Sequence, residues 1–234
     1  MHIFDAQIAA ITSATPSIRT LRLIIPDPAF RFLPGQWVDF SIEVDDAPHT
    51  AGYSITTSPI HQGEFELAIK ASARHPVARW VHEHAAVGDR VRVSQGQGPF
   101  VYLPEMSDNV VLIGGGVGVT PLLSIFRHVR DAQLSTRVNL VYSVSASSEI
   151  LFRDELEAAA RTRDNLHVSI TVTQPDTDWH GLSGRIDPVK LHALEAPDDT
   201  LYYLCGPRGM IEDISTLLHE LGVPMSRIIF EKWW

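Results

Sequence analysis

The sequence predicts two domains of different rhythm: an antiparallel β-barrel or sandwich over residues 1–106, then an α/β doubly wound parallel sheet over residues 107–234. Three observations predict this. Short β-rich runs separated by Pro, Gly and Asp fill the first part. From about Asp108 the pattern alternates strand, helix, strand, helix, as a parallel sheet with crossover helices requires. Between the two stands VVLIGGGVGVTP, Val110 to Pro121, an apolar run that passes straight into a glycine-rich turn and a helix.

Taken in order, the runs Phe4–Thr12, Ile18–Ile25, Trp37–Val44, Gly52–Thr56, Glu64–Lys70 and Arg90–Ser94 are β-rich. They are punctuated by Pro26, Asp27 and Pro28, by Pro34 and Gly35, by Asp45, Asp46 and Pro48, and by Ser58–Gly63. Their even spacing is that of a closed barrel or a sandwich. One helix, Pro76–Ala86, places Val77, Trp80, Val81 and His84 on one side and stops at Gly88. The Pro, Glu, Ser, Asp and Asn cluster around Pro104–Asp108 marks the expected boundary. Beyond it, Val110–Ile113, Val138–Tyr142, His167–Thr173, Thr200–Cys205 and Arg227–Phe230 read as strands. The segments opening at Thr120, at Ser148 (to Ala160), at Asp187 (to Leu194) and at Pro207 (to Leu221) read as helices.

The glycine turn carries the chemistry. Val110–Ile113 is continuous enough to be buried on both faces. Gly114, Gly115, Gly116 and Gly118 follow, with Thr120 expected as N-cap and Pro121 in the first helical turn. Backbone without side chains and the free N–H groups of a helix start together form an anion site, suited to a dinucleotide pyrophosphate. Pro121 stands where a GxGxxG pattern would have its third glycine.

Composition narrows the function. Lys and Arg number 19 against 28 Asp and Glu, a net charge of −9, which argues against general binding to nucleic acid or an anionic membrane surface. A single cysteine, Cys205, leaves no internal disulfide and no four-cysteine cluster. The glycines and Pro121 break the uncharged stretch between Asn109 and Arg127, so no membrane span is expected. MHIFDAQIAAITSA lacks the features of a targeting segment, so the expected location is the cytoplasm, with the mitochondrial matrix open. His82 and His84 sit on one helix pointing apart, and no metal is expected.

Five ordered pieces carry a resemblance: PGQWV at Pro34–Val38, GYS at Gly52–Ser54, GGGVGVTP, CGPRGM at Cys205–Met210, and FEKWW at Phe230–Trp234. With them the chain resembles the ferredoxin–NADP reductase superfamily over nearly its full length. GYSITTSP, HPVARWVH and the terminal FEKWW make it most similar to the oxidoreductase NAD-binding domain-containing protein 1 branch. The resemblance implies a flavin-binding barrel followed by a nicotinamide-nucleotide domain. It implies a flavin-dependent NAD(P)H oxidoreductase, with an acceptor that no motif identifies. Tyr53 would lie against the isoalloxazine and the Ser54 hydroxyl near flavin N5. His75, Pro76 and Val77, opening the barrel helix, match the place that holds the flavin pyrophosphate. Gly114–Pro121 would hold the nicotinamide dinucleotide, with Ser143 near its ribose. Cys205, Gly206 and Pro207 would stand at the nicotinamide. Glu231 would approach N5, and Trp233 or Trp234 would stack on the flavin. The implied catalytic group is Ser54, Cys205 and Glu231.

One position departs from the family. Ala51 stands where an arginine usually holds a flavin phosphate, and His49, Arg74 and His75 are the nearby cations in sequence. The helix start at His75–Arg79 still offers free N–H groups to a pyrophosphate, so FAD is the first choice of cofactor and FMN the second. A loosely held flavin used as a substrate, or a non-catalytic nucleotide-binding or accessory protein, is the alternative. Ser143-Val144-Ser145 has no arginine to meet a 2′-phosphate, which favours NADH over NADPH as donor. The expected partners are the small-molecule nicotinamide and flavin, with a separate protein electron acceptor also open. Arg185, in GLSGR, reads equally as a nucleotide contact or as part of a turn.

Overall fold

The computed structural model describes residues 2–44 and 47–232. Its first half is a curled antiparallel sheet of β1 (Ile3–Ser13), β2 (Ile18–Ile24), β3 (Trp37–Val44), β4 (Ala47–Ser54), β5 (Glu64–Lys70) and β6 (Arg90–Ser94). The strand order is β4-β3-β6-β1-β2-β5. A single bridge, Ile55 to Leu67, joins the two ends of the sheet and turns it into a half-barrel. Alternation along the strands sends Phe4, Ala6 and Ile8, Leu21 and Leu23, and Val38, Phe40 and Ile42 to the inside, all buried. Helix α1 (Pro76–Glu83) lies against β4 and β5 and buries Val77, Ala78 and Val81.

The strand expected from Gly52 starts earlier, at Ala47, pairing with β3 all the way from Val44↔Ala47 to Trp37↔Ser54. Pro48 does not prevent this. β4 is an edge strand, the place in a sheet where proline is tolerated.

The second half is a parallel sheet of β7 (Asn109–Gly115), β8 (Arg137–Val144), β9 (Leu166–Val172), β10 (Leu182–Ser183), β11 (Leu201–Cys205) and β12 (Ile228–Glu231). Its order is β10-β9-β8-β7-β11-β12, every pair parallel. Helices α2 (Thr120–Asp131) and α3 (Arg153–Thr162) pack on one face. Helices α4 (Pro188–His192) and α5 (Arg208–Glu220) pack on the other. The chain runs outward from β7 to β10 and then returns to β11 on the opposite side of β7. Ligands of such sheets gather at that reversal, outside the carboxyl ends of the strands.

Two helix starts differ from expectation. Thr120 is not an N-cap. A 3₁₀ turn over Gly116–Val119 leads into α2 with Val119 already helical (φ −66°, ψ −18°), so no extended residue is left to cap. The Thr120 hydroxyl donates instead to the Val117 carbonyl at 2.9 Å. The helix expected from Ser148 begins only at Arg153. Ile150 and Leu151 turn into the core, and Phe152 takes a left-handed conformation (φ 56°) that breaks the run before α3.

The two sheets share a core. Ile18, Ala68, Phe100 and Tyr102 of the first half cluster with Leu122, Ile125 and Phe126 of α2. The contact is polar as well. Arg127, only 8% exposed, donates through Nε and Nη2 to both oxygens of Glu155 (2.8 and 2.6 Å). Its Nη1 donates to Glu66 of β5 at 3.0 Å and to the Thr56 carbonyl at 3.1 Å. Arg130 also donates to Glu155, at 2.5 Å. Burial by itself would raise the Glu155 carboxyl, but the hydrogen bonds and charges of Arg127 and Arg130 outweigh it and hold the group below its ordinary range. A carboxylate lowered in this way stabilises the fold above its unfolded-state pKa and loses that contribution as pH falls through the folded value. Glu155→Gln should therefore destabilise the protein by about 1.5–3 kcal/mol at neutral pH. Thermal unfolding across pH should show the gap to wild type closing as the medium becomes acidic, and a gap that is constant with pH contradicts this account.

Candidate functional site

At the carboxyl ends of β7 and β11 the two halves of the chain enclose a cleft of about 530 Å³. One wall is β4, with Ala51, Gly52, Tyr53 and Ser54; the other is the glycine turn after β7 and the loop after β11, with Gly116, Val117, Cys205 and Pro207. The Tyr53 ring meets Phe40 edge-on, centroids 6.2 Å apart at 77°, and is only partly buried. Burial pushes its hydroxyl up to about 12, so it stays a neutral phenol through the physiological range. Ser54 is buried at the end of β4, opposite Trp37.

The glycines divide by task. A Cβ on Gly118 would lie 2.6 Å from the Gly206 Cα and 2.7 Å from the Cys205 carbonyl oxygen. One on Gly115 would meet Met210 Sδ at 2.6 Å and Pro207 Cδ at 2.9 Å, and one on Gly114 would press on Val119 and Leu122 at 3.1 Å. These three allow the turn after β7 to pack on the loop after β11. Gly116 is different: it has φ +54° and open space around its missing side chain. Of the glycines expected to admit a phosphate, Gly116 is the one with room beside it.

A second cavity, of about 460 Å³, continues from the first, sharing Lys70, Gly115, Gly116 and Pro207 with it. Ser143 and Ser145 at the end of β8, with Arg185, Met210 and Asp213, line its far side. The pair is the shape of a site for an extended ligand, with an aromatic platform at one end and hydroxyl, carboxylate and guanidinium groups at the other.

The expected residues are distributed unevenly over this site. Tyr53, Ser54, His75, Gly115, Gly116, Gly118, Thr120, Cys205, Gly206 and Pro207 line the first cavity, and Ser143 lines the second. Gly114 and Pro121 are buried behind the turn. Val77 points into the barrel core at 2% exposure, and exposed Pro76 does not line the cleft. Glu231 is paired in register with Cys205 but does not line the cavity, and its Oε1 lies 3.7 Å from where a Gly98 Cβ would be. Trp233 and Trp234 lie outside the described residues. Lys70 and Ser72 line the cleft without a motif to announce them. Strand alternation could have found Lys70, because it shares a face of β5 with Ala68, which packs against the second half.

Comparison with known proteins agrees with this geometry. Residues 5–102 match the oxidoreductase FAD-binding domain and residues 112–216 the oxidoreductase NAD-binding domain. Oxidoreductase NAD-binding domain-containing protein 1 of Danio rerio is 38% identical, over 100% of this chain and 93% of that protein. The chain belongs to the ferredoxin–NADP reductase family. Another member, the glycine betaine monooxygenase reductase subunit of Pseudomonas aeruginosa, is 29% identical over 93% of this chain and 60% of its own. A ferredoxin NADP⁺ reductase from Neisseria gonorrhoeae, solved with bound FAD and NADP, shares the fold over the whole of both chains (TM-score 0.84, 23% identity). Among the described residues of this reductase-family chain, no helix is long and apolar enough to cross a membrane.

The division among the glycines gives a paired expectation. Gly118→Ala forces backbone apart and should cost about 1–3 kcal/mol of stability. Gly116→Ala carries about 1–2 kcal/mol of left-handed strain but also puts a methyl group into the cleft. Denaturant unfolding should rank Gly118→Ala as no more stable than Gly116→Ala, while nucleotide affinity should fall chiefly in Gly116→Ala.

Proposed function

We propose that this chain takes electrons from NADH onto a flavin held between its two sheets and delivers them to a separate acceptor. The observation that carries the reading is the single cleft walled by Tyr53 and Ser54 on one side and by Gly116 and Cys205–Pro207 on the other. The residues fit a flavin. Tyr53 offers a partly uncovered ring as platform, Gly52 and Ala51 leave the strand edge low, and Lys70 and Ser72 supply a cation and a hydroxyl along the same wall. His75 precedes α1 without any side-chain cap bond, leaving the first N–H groups of the helix for an anion. Lys70, His75 and this helix start take over the phosphate contact that Ala51 cannot make.

A flavin bound here supplies a carrier that accepts two electrons from a nicotinamide and releases them together or singly. The protein's part is to orient and to exclude water. Proximity of two rings held on facing walls accounts for much of such a rate. Ser54, next to Tyr53 in the strand, is a buried hydroxyl of the cleft wall. The Cys205 thiol, 1% exposed and in the cleft wall, shapes the nicotinamide end. Glu231, paired in register with Cys205, stands next to the nicotinamide end without lining the cleft. In the second cavity Ser143, Ser145 and Asp213 are the hydroxyl and carboxylate partners that an unphosphorylated ribose takes, which favours NADH. FAD remains preferred to FMN on the match of residues 5–102.

Ala51 favours a second reading, in which the flavin is held weakly and is itself a substrate. The absorption spectrum of the protein as isolated distinguishes the two. A yellow protein bleached by NADH under anaerobic conditions, and more slowly by NADPH, supports a resident flavin; a colourless protein that reduces added flavin supports the second reading; one that binds NADH and reduces neither opposes both. Tyr53→Ala should weaken flavin binding by removing the platform, whereas Tyr53→Phe should keep it and leave the pH profile of bleaching unchanged over the neutral range, because the Tyr53 hydroxyl does not ionise there.

A further inference from the structure

The contacts of α2 point beyond nucleotide binding. Its first turn, at Thr120, lines the cleft immediately after the glycine turn. About one and two turns on, Ser124 and Arg127 lie three residues apart on one face, and both reach into the other half of the molecule. Ser124 Oγ donates to the Thr57 carbonyl at 2.8 Å, and Arg127 Nη1 to the Thr56 carbonyl at 3.1 Å. Those carbonyls belong to the segment that directly continues Tyr53 and Ser54.

That segment has no slack. Ile55 and Thr56 are fully buried. The Thr56 N–H donates to the Glu66 carbonyl at 2.9 Å and its hydroxyl to Glu66 Oε1 at 2.8 Å, the carboxylate oxygen that Arg127 also holds. Ile55 N–H donates to the Gln36 carbonyl at 3.0 Å. The guanidinium is fixed in turn by the two-oxygen grip of Glu155 and by the Phe152 ring, 4.2 Å away. From Arg127 back to Thr120 is about 10 Å of helix, a length that hydrogen bonding keeps constant. A lysine has neither the fork nor the number of donors to make these contacts together.

We propose that α2 is a strut that sets the spacing between the Tyr53–Ser54 platform and the nucleotide-binding turn, with Arg127 and Ser124 as its positioning residues. This rests on the reading of the cleft as a flavin and nicotinamide site. Neither residue lines that cleft, so their effect is on geometry and not on contact with ligand.

The test uses the full chain with its flavin. Wild type, Arg127→Lys and Ser124→Ala are compared by stopped-flow bleaching with NADH, by NADH affinity, and by the long-wavelength charge-transfer absorbance between nicotinamide and flavin. Amide hydrogen exchange at residues 54–57 is measured without flavin. The strut predicts a limiting bleaching rate lower by on the order of 10- to 100-fold in Arg127→Lys, a weaker charge-transfer band, faster exchange at 54–57, and little change in NADH affinity. Ser124→Ala should move the same way by less, and it decides the matter alone if Arg127→Lys does not fold. Folded variants with wild-type rate, band and exchange overturn the strut and leave the cleft reading intact. A wild type that is never bleached overturns both.

Discussion

A guanidinium removed from water, and the partners that make its removal tolerable, holds this molecule in one piece. Desolvating Arg127 costs several kcal/mol, and that cost is offset only because four of its N–H bonds find oxygen and its face finds an aromatic ring. The oxygens come from both halves of the chain: Glu66 on β5 and Thr56 just after β4 from the first, Glu155 on α3 from the second. An isolated surface ion pair would contribute little to docking two sheets. A shared, mostly buried one makes their relative position a condition of its own satisfaction, and the apolar contacts of Ile18, Ala68, Phe100 and Tyr102 with α2 supply the area around it.

A second close approach, of backbone to backbone, shapes the nucleotide side of the cleft. Gly118 over Gly206, and Gly115 beside Met210 and Pro207, bring the turns after β7 and β11 nearer than any side chain would allow. Parallel strands that diverge into helices on opposite faces leave a crevice at their carboxyl ends, and these contacts set how narrow it is. The glycine-rich turn therefore serves packing at least as much as ligand access. Gly35, with φ +97° and its missing Cβ 2.4 Å from the Phe100 carbonyl oxygen, does the same for the turn that carries PGQWV.

Much of this was readable in the residues. The change of rhythm near Asp108 is a matter of period, and period survives any tertiary arrangement. The apolar face of α2 is spaced so that Leu122, Leu123, Ile125, Phe126 and Val129 must lie inward, and all are fully buried. Helix starts were harder to read. The Ser148 segment has the spacing of a helix, but burying Ile150 and Leu151 outweighs local propensity and moves the start past Phe152. Thr120 has the chemistry of a cap without the extended backbone that a cap needs. Lys70 carries no motif; strand alternation puts it on the Ala68 face of β5, and the meeting of that face with the second half brings it to the cleft.

By itself the sequence determined the two fold classes, the order of their elements, and the short stretches around Tyr53, Gly116 and Cys205 that meet at the cleft, because hydrophobic period, turn residues and motif spacing are local properties. Only the tertiary structure decided which glycine has open space beside it and which pack against the neighbouring turn, that Glu231 stays out of the cleft lining, and that Arg127 binds one half of the molecule to the other. Those are relations between atoms distant along the chain, and they exist only once burial has made every unpaired charge and every surplus methyl group expensive.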